Sequence, residues 1–334
     1  KNVKWVEDRI EHLTAASSAT NRVTTIKAAV RRNGEILALD YDQIDDVGAY
    51  LRAPEPASLY RMHGNLSGAY LVKNISCRNR VVLTNKTPTG LNRGFGGPQH
   101  YYALERLVHK IAVNLKLDRL VVIKLNLVKD KDFPYQSASG ALLDSGQYKK
   151  LMDKVLKSNE FSDMKLRQNL AQKKGNLYGI GYAAIVEPSV SNMGYITTAV
   201  PFKEREKSGH KGGAIASATV SIGPTGGIYV TCDSVPQGQG HKTVLAQIVA
   251  DIFGLSFENV FVNGELDTQK DAWSIAAGNY SSRFAGAVAG TTSLAAKKLK
   301  LRILKIASTK LNCKAENIIF ENNFVIDKNN FDNK

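Results

Sequence analysis

Acidic residues are scarce in this chain: 30 Asp and Glu stand against 45 Lys and Arg, for a formal net charge of +15. That imbalance fits nucleic acid, an anionic cofactor or an acidic partner chain. The basic residues come in short groups such as Lys149-Lys150, Lys173-Lys174 and Lys297-Lys298-Leu299-Lys300. No long basic run interleaved with aromatics occurs, which disfavours nucleic acid. Cysteine is scarce too. Cys77, Cys232 and Cys313 form no Cys-x-x-Cys pair, so neither a disulfide framework nor a zinc site is encoded, and small buried apolar roles are expected. The six histidines show no His-Glu-x-x-His spacing. A P-loop and a serine nucleophile elbow are also absent. Gly179 and Gly181 followed by Ala184 match a dinucleotide fingerprint only in part, and no helix is expected after them. His241 reads as a helix-start residue rather than a metal ligand. With no signal peptide and no long apolar run, the expectation is a soluble, cytoplasmic protein without membrane contact. The first residue is Lys rather than Met, as in a processed chain or a piece of a longer one.

What is present describes a globular protein. The chain has 334 residues, 43% of them hydrophobic, enough for two domains with real cores. Residues 3–7 read as a strand and 8–13 as a helical turn. Strands over 22–32 and 35–41 flank Asn33-Gly34, the signature of a type I′ hairpin turn with positive φ at both positions. Pro54 and Pro56 break an irregular stretch. Residues 70–85 are strand-like, and Leu104, Leu107, Val108, Ile111 and Leu115 fall on one face of a following helix. Asp144-Ser145 reads as the cap of a helix to about residue 158, with another over 162–173. Residues 178–186 read as a buried strand. A second hairpin spans 213–233 around Pro224-Thr225-Gly226-Gly227. Val244, Leu245, Ile248, Val249 and Ile252 mark a helix, 260–262 a short strand, and 318–327 a last hairpin. A loop with Asp267, Gln269 and Asp271 leads to a long helix rich in Ala and Gly. The fold class is therefore α+β, mixed sheets with packed helices. The cluster Lys173-Lys174-Gly175-Asn176 divides a first domain, 1–175, from a second, 176–334.

Three glycine-containing loops each precede a helix. The first is Arg93-Gly94-Phe95-Gly96-Gly97-Pro98-Gln99, with Pro98 suited to a first helical turn. The second is Gln237-Gly238-Gln239-Gly240, and the third Gly278-Asn279-Tyr280-Ser281-Ser282. Glycine lets backbone approach a ligand closely, and free helix N–H groups favour an anion. Arg93 adds a fixed charge and Phe95 an aromatic face. Read blandly, the first loop is a turn with a buried Phe and a solvated Arg. Read functionally, the three loops converge on one large anionic ligand.

These three loops, in this order and at these spacings, resemble the molybdopterin-binding large subunit of the xanthine oxidase family. Lys4-Trp5-Val6-Glu7-Asp8-Arg9, Pro134-Tyr135-Gln136-Ser137-Ala138-Ser139-Gly140 and Asp144-Ser145-Gly146-Gln147-Tyr148 extend the resemblance along nearly the whole chain. The chain looks like the middle portion of the full subunit, with domain 1–175 the remainder of one cofactor-binding subdomain and 176–334 the first part of the other. The resemblance implies that Gln237, Gly238, Gln239 and Gly240 hold the pterin. Gly278, Asn279, Tyr280, Ser281 and Ser282 would hold its phosphate-bearing end. Arg93 would stand beside the molybdenum oxygen ligands as a catalytic residue, with Gly94 at the cofactor. Phe95 would stack on the substrate ring. Arg61 falls at the spacing of a substrate-orienting Arg, and a surface role is equally open to it. No residue of this chain is implied as a direct metal ligand.

The implied activity is that of a molybdenum hydroxylase, taking oxygen from water into an aldehyde or N-heteroaromatic substrate. Its cofactor would be molybdenum–molybdopterin, with the cytosine dinucleotide form as one option, and electrons would leave through Fe–S and FAD groups in partner chains. Carbon monoxide dehydrogenases of the family carry a Cys-Ser-containing loop where this chain has Arg93-Gly94-Phe95, which makes that substrate the alternative. Two family features are missing here: an upstream Gly-Phe-Gly-Gly loop and a downstream glutamate base. The expectation is that partner segments supply both and that the chain is inactive alone. A basic fragment that binds an anion or nucleic acid without turnover is the competing, non-enzymatic reading.

Overall fold

The Asn33-Gly34 dipeptide does close a hairpin. Strands β1 (Asn21–Val30) and β2 (Ile36–Asp46) pair antiparallel across it, from Asn21 opposite Asp46 to Ala29 opposite Ala38. The turn type differs from the expected one. The Gly34 amide donates to the Arg31 carbonyl at 2.9 Å, and Gly34, at φ +91°, takes the left-handed position while Asn33 does not. This is the three-residue loop in which a turn is followed by a glycine bulge.

The computed structural model describes residues 3–52, 61–187, 189, 216–267, 269, 279–321 and 324–332. They fall into two compact units, Lys1–Glu187 and Pro188–Lys334. Pro54, Pro56, Asp271 and Gly278 lie outside the described residues, as does the start of the second hairpin.

In the first unit, strand β3 (Asn74–Val82) adds to β2 in parallel, giving the order β1-β2-β3. Helix α2 (Gly97–Leu115) follows and packs on this sheet with α3 (Arg119–Asn126). The core joins Leu39, Tyr41 and Tyr70 to Leu104, Val108 and Ile123. The apolar face expected on α2 is therefore the buried one. Asn126 ties the layers together: it accepts from the Ile36 amide at 2.8 Å and donates to the Gly34 and Val122 carbonyls at 2.9 and 2.8 Å. Buried polar groups are stable only when bonded in this way. A short pair, β4 (Tyr135–Gln136) with β5 (Leu142–Leu143), precedes helices α4 (Tyr148–Leu156) and α5 (Asn159–Lys173).

Three expectations for this unit are corrected. Residues 3–7 form no strand: Val3, Trp5 and Val6 are exposed, and the helix that follows is α1 (Arg9–Ala15). Asp8 and Glu11 make a reciprocal capping box there, which sets the helix start and leaves the preceding residues outside any strand. Asp144 caps no helix: α4 starts after Gln147, and Ser158 instead caps α5 by accepting from the Phe161 amide. Residues 178–186 are extended and alternate in exposure, with Tyr182, Ala184 and Val186 turned to the core, yet they pair with no strand among the described residues. Side-chain bonds hold this stretch to the rest of the unit. The Tyr101 hydroxyl and Asn65 Nδ2 (3.3 Å) donate to the Val186 carbonyl, and the Ala184 amide bonds the Glu105 carboxylate.

In the second unit, β6 (Ala218–Ile222) pairs antiparallel with β7 (Ile228–Cys232), and β7 pairs in parallel with β8 (Val260–Asn263). Helix α6 (His241–Phe253) lies between β7 and β8 in sequence. Helix α7 (Gly290–Lys310) follows a π-helical turn, Phe284–Ala289. Val230, Val249, Phe253 and Ala296 form the centre of this core. The tail is the expected hairpin, β9 (Ile318–Glu321) with β10 (Phe324–Asp327).

Candidate functional site

The first unit places the 93–97 loop on the N-terminus of α2. Gly94 and Gly96 take φ +80° and +79°, where a side chain is strained, and Pro98 sits in the first helical turn. Arg93 is exposed, and Phe95 is half-buried. Arg61 lies against this loop. Its Nη1 donates to the Phe95 carbonyl at 3.1 Å and to Glu187 Oε1 at 2.6 Å, and its guanidinium stands 4.8 Å from the Phe95 ring centroid. Of the sequence-derived residues, Arg61 and Phe95 are thus in direct contact, although 34 positions apart. The Gly97 backbone faces Glu187: a Cβ built there would lie 2.9 Å from Oε2. A cleft of about 400 Å³ opens beside Gly94, Gly97, Pro98, Tyr102, Arg106 and Glu187. Glu105 borders it and is nearly buried, bonded by the Tyr70 hydroxyl at 2.6 Å and facing Arg119 at 3.4 Å. Burial dominates, so its carboxyl titrates above the usual range despite those partners.

In the second unit, Gln237, Gly238, Gln239 and Gly240 are all exposed and run into the N-terminus of α6. Gly238 and Gly240 take φ +98° and +76°, and a Cβ on either would meet nothing within 4 Å. These glycines serve no packing contact of the described chain. Gly240 caps α6 without a side-chain bond, so the first helical N–H groups stay available to an acceptor. Asn279, Tyr280, Ser281 and Ser282 lie in a 3-10 turn entering the π-helical segment, with Ser282 at φ +52°.

A buried support connects these two loops. Asp233, just before the pterin-loop candidate, and Arg283, just after the serines, are 1% and 0% exposed and pair at 3.1 Å. His241 stacks on Phe284 with ring centroids 3.8 Å apart and planes 6° from parallel, and its Nδ1 lies 3.4 Å from Ser234 Oγ. Sequence reasoning placed His241 at the start of the helix, where it is. It missed Asp233, Arg283 and Glu187 as supports. The signal for Arg283 was in plain view, the last residue of the Ser281-Ser282-Arg283 run. The resemblance sets the segment from Glu187 to Gly194 at the opposite pocket wall, but it does not pair Glu187 with Arg61, 126 positions away.

Open glycine backbone and buried polar atoms lie at these loops among the described residues. No group of three or more His, Cys, Asp or Glu side chains is placed among them to hold a metal ion directly. Two buried polar atoms beside the loops, Gln99 Nε2 and Asn279 Oδ1, have no hydrogen-bond partner in the structure. The first, Gln99 Nε2, is a donor in the first unit, and the second, Asn279 Oδ1, an acceptor in the second. No helix among the described residues is long and apolar enough to cross a membrane.

Comparison with known proteins agrees with this geometry. Residues 1–127 and 154–334 each match a family described as a molybdopterin cofactor-binding domain. The nicotine 6-hydroxylase large subunit of Paenarthrobacter nicotinovorans is 29% identical over 325 residues, 96% of this chain and 38% of that protein. The carbon monoxide dehydrogenase large chain of Hydrogenophaga pseudoflava is also 29% identical, over 96% of this chain and 39% of its own length. Among solved structures, quinoline 2-oxidoreductase from Pseudomonas putida 86 superposes with a TM-score of 0.78 at 29% identity, over 97% of this chain and 40% of that one. The chain spans about two fifths of the length of these relatives. Two family matches that take in most of the chain, and an α+β fold shared with those enzymes, lead to one conclusion: the chain belongs to the family of molybdopterin-binding large subunits that includes xanthine dehydrogenase.

Proposed function

We propose that this chain forms the cofactor-cradling portion of a molybdenum hydroxylase that oxidises an aldehyde or an N-heteroaromatic compound with water as the oxygen source. The observation that carries the reading is the 93–97 loop. Two left-handed glycines, Gly94 and Gly96, turn its backbone, and the aromatic ring between them is gripped by Arg61. A ring so held is a wall for a flat substrate. The carbon monoxide dehydrogenase relative is as similar as the nicotine hydroxylase, so overall identity does not separate the substrate classes. Phe95 and the Arg93-Gly94-Phe95 loop favour a ring or an aldehyde over carbon monoxide.

The bound cofactor supplies a redox-active molybdenum centre at which the substrate carbon is hydroxylated. The residues of this chain bind and orient. Arg93 and the Gly94 backbone stand at the metal's oxygen ligands. Gln237, Gly238, Gln239 and Gly240 hold the pterin, with the α6 N-terminus offering N–H donors. Gly278, Asn279, Tyr280, Ser281 and Ser282 take the phosphate-bearing end, in a cytosine dinucleotide form of the cofactor. Fe–S and FAD groups belong to partner chains. A Gly-Phe-Gly-Gly loop and a glutamate base come from other segments of the assembly, which works in the cytoplasm, and this chain alone is inactive.

The test is to purify the chain from its native host with whatever assembles on it. Molybdenum and the pterin nucleotide are then measured per chain, and dye-linked oxidation of aldehydes, N-heterocycles and carbon monoxide is assayed. Near-stoichiometric molybdenum with turnover of one of the first two classes is expected. Absence of molybdenum sinks the reading, and turnover of carbon monoxide alone sinks its substrate half.

A further inference from the structure

The geometry points to Glu187 as a positioning residue for the substrate wall, acting through Arg61 on both the ring and the main chain of Phe95. The inference deepens the reading above and rests on Phe95 being that wall.

Glu187 is held by its own backbone neighbourhood. The Ala184 amide bonds Glu105, and the Val186 carbonyl accepts from the Tyr101 hydroxyl and from Asn65 Nδ2 at 3.3 Å. With positions 184 and 186 fixed to α2 and to the turn at Asn65, the Glu187 carboxylate reaches the loop without a long flexible tether. One oxygen takes Arg61 Nη1 at 2.6 Å, and the other lies against the Gly97 backbone. Arg61 carries the contact onward. The same Nη1 donates to the Phe95 carbonyl, and the guanidinium covers the Phe95 ring. A carboxylate, a guanidinium and an aromatic ring thus form a clasp that closes residues 181–187 over the start of α2. Arg61 then meets the substrate through Phe95.

Burial makes the clasp asymmetric. The Arg61 side chain is 6% exposed and that of Glu187 38%. Neutralising Glu187 takes a charged partner from a nearly buried guanidinium, whereas neutralising Arg61 leaves a carboxylate that water reaches. Glu187→Gln is therefore expected to disturb the loop more than Arg61→Met, the reverse of what a direct substrate contact by Arg61 alone gives.

The experiment uses the full chain in its purified complex, comparing wild type with Glu187→Gln, Glu187→Asp, Arg61→Met and the double variant Arg61→Met/Glu187→Gln. Three quantities are read: molybdenum per chain, hydrogen exchange of the amides at 94–97, and kcat and KM separately. For Glu187→Gln, molybdenum stays at the wild-type level. Exchange at 94–97 rises about tenfold or more, as for a locally released loop. KM rises by about tenfold with a smaller change in kcat, as expected when a positioned wall moves. Glu187→Asp recovers part of each. If Glu187→Gln does not fold, the double variant, which removes both charges of the pair, still shows fast exchange. Wild-type exchange and KM in Glu187→Gln, or a larger effect from Arg61→Met, overturn the inference. A wild-type complex without molybdenum overturns the functional reading instead, and the exchange measurement then still decides whether Glu187 holds the loop.

Discussion

Two loops in this chain enter helices in the same way and are supported in opposite ways. In the first unit, Gly96 caps α2 at φ +79°, and in the second, Gly240 caps α6 at φ +76°, neither with a side-chain bond. The 93–97 loop is gripped from above, by Arg61 on the Phe95 ring and carbonyl and by Glu187 beyond it. The 237–240 loop is built differently. Its residues are exposed, and it is steadied from below by the buried Asp233–Arg283 pair and by His241 stacked on Phe284. A loop that presents a side chain needs that side chain fixed. A loop that presents bare backbone needs only fixed ends and open space in front. On the function proposed above, the contrast fits side-chain recognition by the first unit and backbone recognition by the second.

The largest expected effect breaks the second loop. Gly240→Val places a branched side chain in the open space where a ligand approaches, and the purified complex should lose its molybdenum. Gly240→Ala separates the causes. No chain atom lies within 4 Å of the added Cβ, so folding should suffer only the left-handed strain of about 1–2 kcal/mol. Normal molybdenum content in Gly240→Val would remove this loop from the cofactor site.

Next comes the support beneath it. Asp233→Ala takes a buried acidic partner from the fully buried Arg283, a loss of about 3–5 kcal/mol. Denaturant unfolding of the second unit should show a correspondingly lower midpoint. A change below about 1 kcal/mol, the scale of an exposed pair, would mean that the pair is solvated in solution.

Phe95→Ala tests the first loop. The ring is half-buried and lies on the surface of its unit, so the fold should survive and molybdenum content should stay normal. Loss of an orienting wall should lower kcat/KM by about 100-fold, as small misplacements in active sites do. Loss of folding would mean that the ring is simply core.

How far the sequence revealed this contrast depends on the range of the interactions. The helix over Gly97–Leu115 was legible because Leu104, Val108 and Ile111 repeat at helical spacing and bury one face. The glycine loops were legible because only glycine accepts their backbone angles cheaply. The turn at Asn33-Gly34 was legible as a hairpin but not as a turn type, because one left-handed residue suffices when the loop has three members. Residues 178–186 carried a strand's composition without a strand partner among the described residues, and composition does not report partners. Arg61 met Phe95 at a distance of 34 positions and Glu187 at 126. No local pattern encodes such contacts, so the grip on the first loop became visible only in three dimensions. The Asp233–Arg283 pair was hidden for the same reason.

The smallest expected effect concerns pH and sets one unit against the other. His100, one turn into α2, is fully buried against Tyr41 and Tyr101. Burial first, then the nearby Arg22 and His63, lower its pKa to about 4. Arg22 on β1 is paired at 2.7 Å with Asp45 on β2 in the same buried layer, and His63 faces Gln43 at 3.4 Å. His63 is shifted downward as well, mainly by burial. An unfolded histidine titrates near 6.5, so between about pH 6.5 and 4 the unfolded chain binds more protons than the folded one. Stability from His100 is therefore complete above that window and falls as pH drops through it. By pH 5.5 the loss from this one residue is about 1 kcal/mol. In the second unit, His241 is also lowered, by burial and then by Arg283, so the sign is the same there and only the size distinguishes the units. Hydrogen exchange of β1 and β2 amides at pH 7.5 and 5.5, corrected for intrinsic rates, should show the first unit loosening on acidification. In His100→Gln most of that pH dependence should vanish, while β7 and α6 keep theirs. Equal pH dependence in His100→Gln and wild type would place the acid-sensitive group elsewhere, with His63 the next to replace.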